Sequence, residues 1–127
     1  MNIRPNLVEI IGAPLDLGCN MRGANIAPAT VRIAGLQDKL AALGIKSIDS
    51  GDVHVPLRET LGPDVAGERY LPIIAEVCEE LFRRVSSSLA AGRFPLTIGG
   101  DHSIAVGTVK GSADYFHKQG GQLGLVW

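Results

Sequence analysis

Apolar positions along the chain recur at two spacings, and the spacing switches at turn residues. Val8-Glu9-Ile10-Ile11-Gly12-Ala13-Pro14 is a short apolar run closed by turn formers, which predicts a buried strand. After a glycine-containing loop, Pro28 opens a stretch where Ala29, Ile33, Leu36, Leu40 and Leu43 recur at steps of four and three. That places them on one face of a helix stopped by Gly44. Residues 45–53 form a second strand-like run, followed by a loop carrying Pro56, Gly62, Pro63 and Gly67 that is expected to be a surface excursion.

The clearest helix follows: Leu71, Ile74, Cys78, Leu81, Val85 and Leu89 make one stripe, with Glu79, Glu80, Arg83 and Arg84 off it and Gly92 at its end. Phe94-Pro95-Leu96-Thr97-Ile98 predicts a third strand, with Pro95 at its entrance, where no ladder donor is lost. A helical pattern resumes through Ile104, Val106 and Val109, with a break expected near Gly111 and a restart at Ser112. Leu123-Gly124-Leu125-Val126-Trp127 predicts a fourth strand. Strands alternating with helices imply right-handed crossovers and an α/β fold: a three-layer parallel sheet with helices on both faces. An apolar strand with no helix after it is an open edge, so residues 1–127 are expected to be the N-terminal portion of one domain, incomplete at the C-terminus.

Composition narrows the functional classes. The 127 residues fit one domain or part of one; 46% are hydrophobic, 16 are glycine and the formal charge is −1, an ordinary globular composition. Lys and Arg are scattered, with no basic run, so no nucleic-acid partner is expected. No stretch approaches the roughly 18 apolar residues needed to span a membrane, and the first residues lack a signal-type apolar core. No membrane partner and a cytoplasmic location are the resulting expectations. Cys19 and Cys78 are too far apart for a zinc pair and too few for a disulfide framework, so two reduced thiols are expected. His54, His102 and His117 are equally dispersed, so any metal site has to be assembled by folding.

In open parallel sheets, ligands bind beyond the carboxyl ends of the strands, which gives priority to the loops after Ala13, Val53 and Ile98. Neither G-x-G-x-x-G nor G-x-x-x-x-G-K-[ST] is present, which disfavours dinucleotide and phosphate-loop sites. The loop Gly99-Gly100-Asp101-His102-Ser103 carries the most chemistry, because paired glycines permit close backbone approach and an imidazole at a strand end can ligate a metal. Two readings stay open on spacing alone: His102 as a metal ligand, or Asp101 as a helix cap with His102 a hydrogen-bonded loop residue. Ser103 is no hydrolase nucleophile, since G-x-S-x-G is absent.

Gly99-Gly100-Asp101-His102-Ser103-Ile104-Ala105-Val106-Gly107 resembles the first metal-binding signature of the arginase, or ureohydrolase, family. Three segments agree in order and spacing: Ile11-Gly12-Ala13-Pro14-Leu15-Asp16-Leu17-Gly18, Arg22-Gly23-Ala24-Asn25-Ile26-Ala27-Pro28-Ala29-Thr30-Val31-Arg32, and the terminal Leu123-Gly124-Leu125-Val126-Trp127. Ala27 departs from the glycine usual before this proline. The resemblance implies that His102 is a ligand of one of two Mn2+ ions, with Asp101 and Ser103 as supporting neighbours. Arg22 falls near the family's active-site rim, with satisfaction of local carboxylates or carbonyls the equally open alternative.

The family's Asp-x-His-x-Asp and Asp-x-Asp segments are absent from these 127 residues. The resemblance further implies hydrolysis of the guanidinium group of L-arginine to L-ornithine and urea by a longer parent, as a trimer or hexamer, with this chain inactive alone. A resonance-stabilised guanidinium carbon resists neutral water, and two metal ions can supply a hydroxide. Agmatine or a formimino substrate is the alternative within the family. Outside it stand a noncatalytic interaction subunit pairing through its sheet, and a flavodoxin-like binding module that would leave the Gly99 to Ser103 signature unexplained.

Overall fold

The computed structural model describes residues 7–126, apart from the side chain of Val65. Its order is β1 (Val8–Ala13), α1 (Ala27–Ile33), α2 (Leu36–Ala42), β2 (Ser47–Asp52), α3 (Pro63–Gly67), α4 (Leu71–Ala90), β3 (Phe94–Gly99) and α5 (Ile104–Lys118). The sheet is parallel, with β1 between β2 and β3; Val8 stands opposite Ser47 on one side and Phe94 on the other. The step from β1 to β2 and the step from β2 across to β3 run in opposite directions. Right-handed crossovers therefore put α1 and α2 on one face and α4 on the other, and β1 touches both α1 and α4. This is the α/β architecture the alternation predicts.

A strand covered on both faces should be apolar on both, and β1 is: Ile10, Ile11 and Ala13 have no exposed surface. Ile11 and Ala13 join Leu15, Leu17, Val53, Val77, Leu81 and Val85 in one core under α4. Each fully buried Ile or Leu contributes about 1.5–3 kcal/mol relative to exposure, so this cluster dominates the fold. The α4 stripe expected from spacing is largely the buried one, but Leu71 is 65% exposed and Val77 and Ser88 are buried. The buried arc is wider than the stripe because α4 serves two partners, the sheet and α5.

Three expectations need correction. The helix after Pro28 is not continuous: Gly35, at φ 78°, adopts a left-handed conformation that ends α1 and starts α2. Its expected apolar face is not buried either, since Ile33 is 87% and Leu43 75% exposed, while Pro28 is the α1 residue that packs inward. Second, α5 runs unbroken through Gly111. There a Cβ would lie 2.9 Å from Phe82 O and 3.1 Å from Val85 Cβ, so the glycine permits close helix packing and does not mark a stop. Third, residues 121–126 are irregular, and Trp127 lies outside the described residues. A strand exists by its ladder; among the described residues nothing pairs with 123–126, and Val126 is 97% exposed. The loop after β2 holds a 3-10 turn at Arg58–Thr60 as well as α3. Among the described residues no helix is long and apolar enough to cross a membrane.

Candidate functional site

The carboxyl ends of β1 and β3 lie side by side, with Ala13 opposite Gly99, so the loops leaving them share one rim of the sheet. Beyond Ala13 the chain turns at once, with Leu15 N–H donating to Ala13 O at 2.7 Å. Leu15 O then accepts from Asp101 N–H at 2.7 Å, which knits the two loops together. Gly100 makes this approach possible: at φ 123° it sits where a Cβ would meet Ala13 O at 2.5 Å and Leu15 O at 2.7 Å. Any side chain would drive the loops apart.

Asp101 is 8% exposed and points inward. One carboxylate oxygen accepts from Gly18 N–H at 2.7 Å, and the other from Ser103 N–H at 2.8 Å. Its charge is thereby spent on backbone donors that hold the first loop to the start of α5. The bond to Ser103 N–H is the local part of the helix-cap reading; the bond to Gly18, from distant sequence, is not visible in spacing. Cys78 adds a second tie, its thiol donating to Ser103 O at 3.2 Å, and burial pushes that thiol above its ordinary pKa. His102, between these anchored neighbours, is exposed at the rim. Cys19 and Cys78 are both free thiols, as expected.

The first loop contains a second buried carboxylate. Asp16 is 3% exposed and accepts from Arg22 Nε at 2.7 Å and from Gly23 N–H at 3.3 Å. Arg22 also donates through Nη1 to Glu59, in the loop after β2. The hydrogen bonds that Arg22 donates to Glu59 and Asp16 push the guanidinium pKa further up, and Arg22 holds Glu59 below the usual carboxylate range. Arg22 thus satisfies local carboxylates, one of its two readings. Sequence reasoning missed Asp16 and Glu59 as its partners. Asp16 lay in a loop already given priority, whereas Glu59 lay in a loop read only as a surface excursion. A similar fork pins α1 to β2: Arg32 donates to Asp49 through Nε (2.7 Å) and Nη2 (2.9 Å), and to Asp52 through Nη1 (2.6 Å).

Among the described residues, no three His, Cys, Asp or Glu side chains stand close enough to hold a metal ion. Both oxygens of Asp101 already accept from backbone N–H groups, from Gly18 and from Ser103. These residues by themselves do not make a complete metal site.

The fold and this rim define a parallel α/β domain with its functional loops at the carboxyl ends of its strands. Family-level comparison matches residues 6–127 to the description "Arginase family". The chain belongs to the arginase family. It is 39% identical over 113 residues to an arginase of Brevibacillus brevis, covering 89% of this chain and 38% of that protein. To the arginase of Bacillus caldovelox it is 38% identical over 121 residues, covering 94% of this chain and 39% of the relative. The native crystal structure of the B. caldovelox arginase superposes with a TM-score of 0.78 at 39% identity, over 87% of this chain and 37% of that one. A Trypanosoma cruzi formiminoglutamase, solved with Mn2+, superposes at 0.62 with 26% identity, over 87% of this chain and 36% of that one. The chain therefore spans less than two-fifths of the length of these relatives.

Proposed function

We propose that residues 1–127 are the N-terminal portion of a single arginase-like α/β domain in a manganese-dependent enzyme that hydrolyses L-arginine to L-ornithine and urea, and that this portion is inactive alone. The observation that carries the reading is the pairing of 38% identity to an arginase over 94% of the chain with weaker likeness, 26%, to a formiminoglutamase. In this reading His102 is one ligand of one of two Mn2+ ions, and the remaining ligands come from outside these residues. Bound metal would supply activated water for attack on a guanidinium carbon that neutral water attacks poorly.

The contribution of this chain is positional. Asp101 ties the loop after β1, at Gly18, to the backbone of Ser103 at the start of α5, Gly100 lets the loops meet, and Cys78 ties Ser103 to α4, so His102 is presented from a rigid edge. The Asp16, Arg22 and Glu59 ion pairs hold the neighbouring loops at the same rim. A cytoplasmic trimer or hexamer belongs to the same proposal.

The test compares this chain with a version extended at its C-terminus for manganese-dependent urea release from arginine. Activity is expected only in the extended version; turnover by the 127-residue chain refutes the claim that further ligands are required. His102→Ala in the extended version should weaken manganese binding measured directly by calorimetry, and an unchanged affinity removes His102 from the ligand set.

A further inference from the structure

Contacts around Arg22 join the loop after β1 to the loop after β2 and, through it, to α4. The first of these loops is closed on itself: Asp16 Oδ2 accepts from Arg22 Nε at 2.7 Å and from Gly23 N–H at 3.3 Å, so residues 16–23 form a ring. Leu17, 5% exposed, seats the ring in the core. A closed and seated ring moves as a unit, so what holds it at one point sets its position at the others.

At one end of the ring Gly18 N–H donates to Asp101, and at the other Arg22 Nη1 donates to Glu59. Glu59 is itself anchored. It lies in the 3-10 turn Arg58–Thr60, whose Arg58 donates through Nε to the Tyr70 hydroxyl at 3.0 Å and sits 5.1 Å from the centre of that ring. Tyr70 stands at the start of α4, and α4 reaches the Ser103 carbonyl through Cys78. These contacts make a closed circuit that runs from α4 through Arg58, Glu59, Arg22 and the ring to Asp101 and Ser103, then back to α4. His102 lies inside it, between Asp101 and Ser103.

The planar fork of a guanidinium presents Nε to one carboxylate and Nη1 to another at a fixed angle, which a lysine ammonium does not do. The two halves of this fork differ in environment. The Asp16 side chain is 4% exposed and that of Glu59 65%, so the inner half is shielded and the outer half is open to salt.

We propose that Glu59 and Arg22 are positioning residues for His102, acting from the loop after β2 through the ring 16–23 and Asp101. The inference rests on the proposed function, since His102 serves the reaction only as the ligand named there, but its test needs no metal.

Amide hydrogen exchange and imidazole proton shifts, read by NMR on the metal-free 127-residue chain, supply that test. Glu59→Gln keeps the shape and removes the charge; it should speed exchange at Gly18 and Ser103 about threefold, the scale of an exposed ion pair, and shift the His102 imidazole signals. Arg22→Gln should speed the same amides about tenfold, because it also frees the buried Asp16, and Arg22→Lys should not restore the wild-type rate. Glu59→Gln should add nothing in the Arg22→Gln background, since both cut one link. Added salt should reproduce the Glu59→Gln effect in the wild type and do little in that variant. Leu81 and Val85, in the core of α4, should keep their wild-type rates throughout, and Glu76→Gln, on the exposed side of α4, should change none of the rim amides. Unchanged exchange at Gly18 and Ser103 in Glu59→Gln, an equal rise at Leu81, or an undiminished Glu59→Gln effect in the Arg22→Gln background overturns the proposal. Unchanged manganese affinity in His102→Ala of the extended version would instead remove the ligand role and leave the positioning result standing.

Discussion

Replacing Gly107 by alanine sets two effects of opposite sign against each other. Glycine inside a helix costs about 1 kcal/mol relative to alanine, so propensity alone makes Gly107→Ala stabilising. Packing says otherwise: a Cβ at 107 would lie 2.3 Å from Cys78 O, 2.9 Å from Leu81 Cβ and 3.0 Å from Cys78 C. The nearest atom is backbone of α4 and cannot rotate aside, so α5 has to withdraw by about 1 Å to restore ordinary contact. Overpacking of this kind costs about 1–3 kcal/mol, and a gap of that size forfeits a quarter to a half of the dispersion at neighbouring contacts. Taking the upper part of that range and subtracting the propensity gain leaves a net loss of about 2 kcal/mol. Gly111→Ala is the internal control: its nearest contacts, 2.9 and 3.1 Å, ask for smaller movement, so its net effect should lie near zero. Urea unfolding followed by circular dichroism reads both, and Gly107→Ala should lower the midpoint at unchanged slope. A raised midpoint would mean that propensity governs and that α5 does not pack on α4 at this distance. The result bears on the site, because α5 begins just beyond His102.

Three further expectations use the same assay. Asp101→Asn replaces one acceptor by an amide that faces a backbone N–H, and should cost about 1–3 kcal/mol; wild-type stability would show that the bonds to Gly18 and Ser103 do not hold the loops. Leu81→Ala, at a residue with no exposed surface, should cost about 2–5 kcal/mol, while Ile33→Ala, 87% exposed, should cost almost nothing; equal losses would mean that the α1 face is covered after all. The hydrogen bond from Arg32 holds Asp49 below its ordinary pKa of 3.8, so this pair stabilises fully above that value and the contribution is lost as pH falls through the lower folded value. Asp49→Asn should therefore cost about 1 kcal/mol at neutral pH, discounted for partial exposure, and converge with wild type in strong acid; a deficit independent of pH would refute the electrostatic account.

Much of the fold was legible because its signals are local. Periodicity placed β1, β2, β3 and α4, and the alternation implied a parallel sheet, since a buried strand and an amphipathic helix write different spacings into the chain. The loop from Gly99 to Ser103 stood out for its residue types and for its position at a strand end. Glycine, however, carries two meanings that spacing cannot separate. Gly35 breaks a helix through its positive φ, while Gly111 continues one because α4 lies where its Cβ would be. The 123–126 run is apolar enough for a strand, but a strand needs a partner's ladder, and that is decided by what else is folded beside it. Tertiary structure alone made Asp101 a buried clamp between segments 83 positions apart, and joined Arg22 to Asp16 and Glu59. Sequence sets which groups can donate and accept, but only the packed chain determines which of them meet, because a hydrogen bond depends on distance in space and not along the backbone.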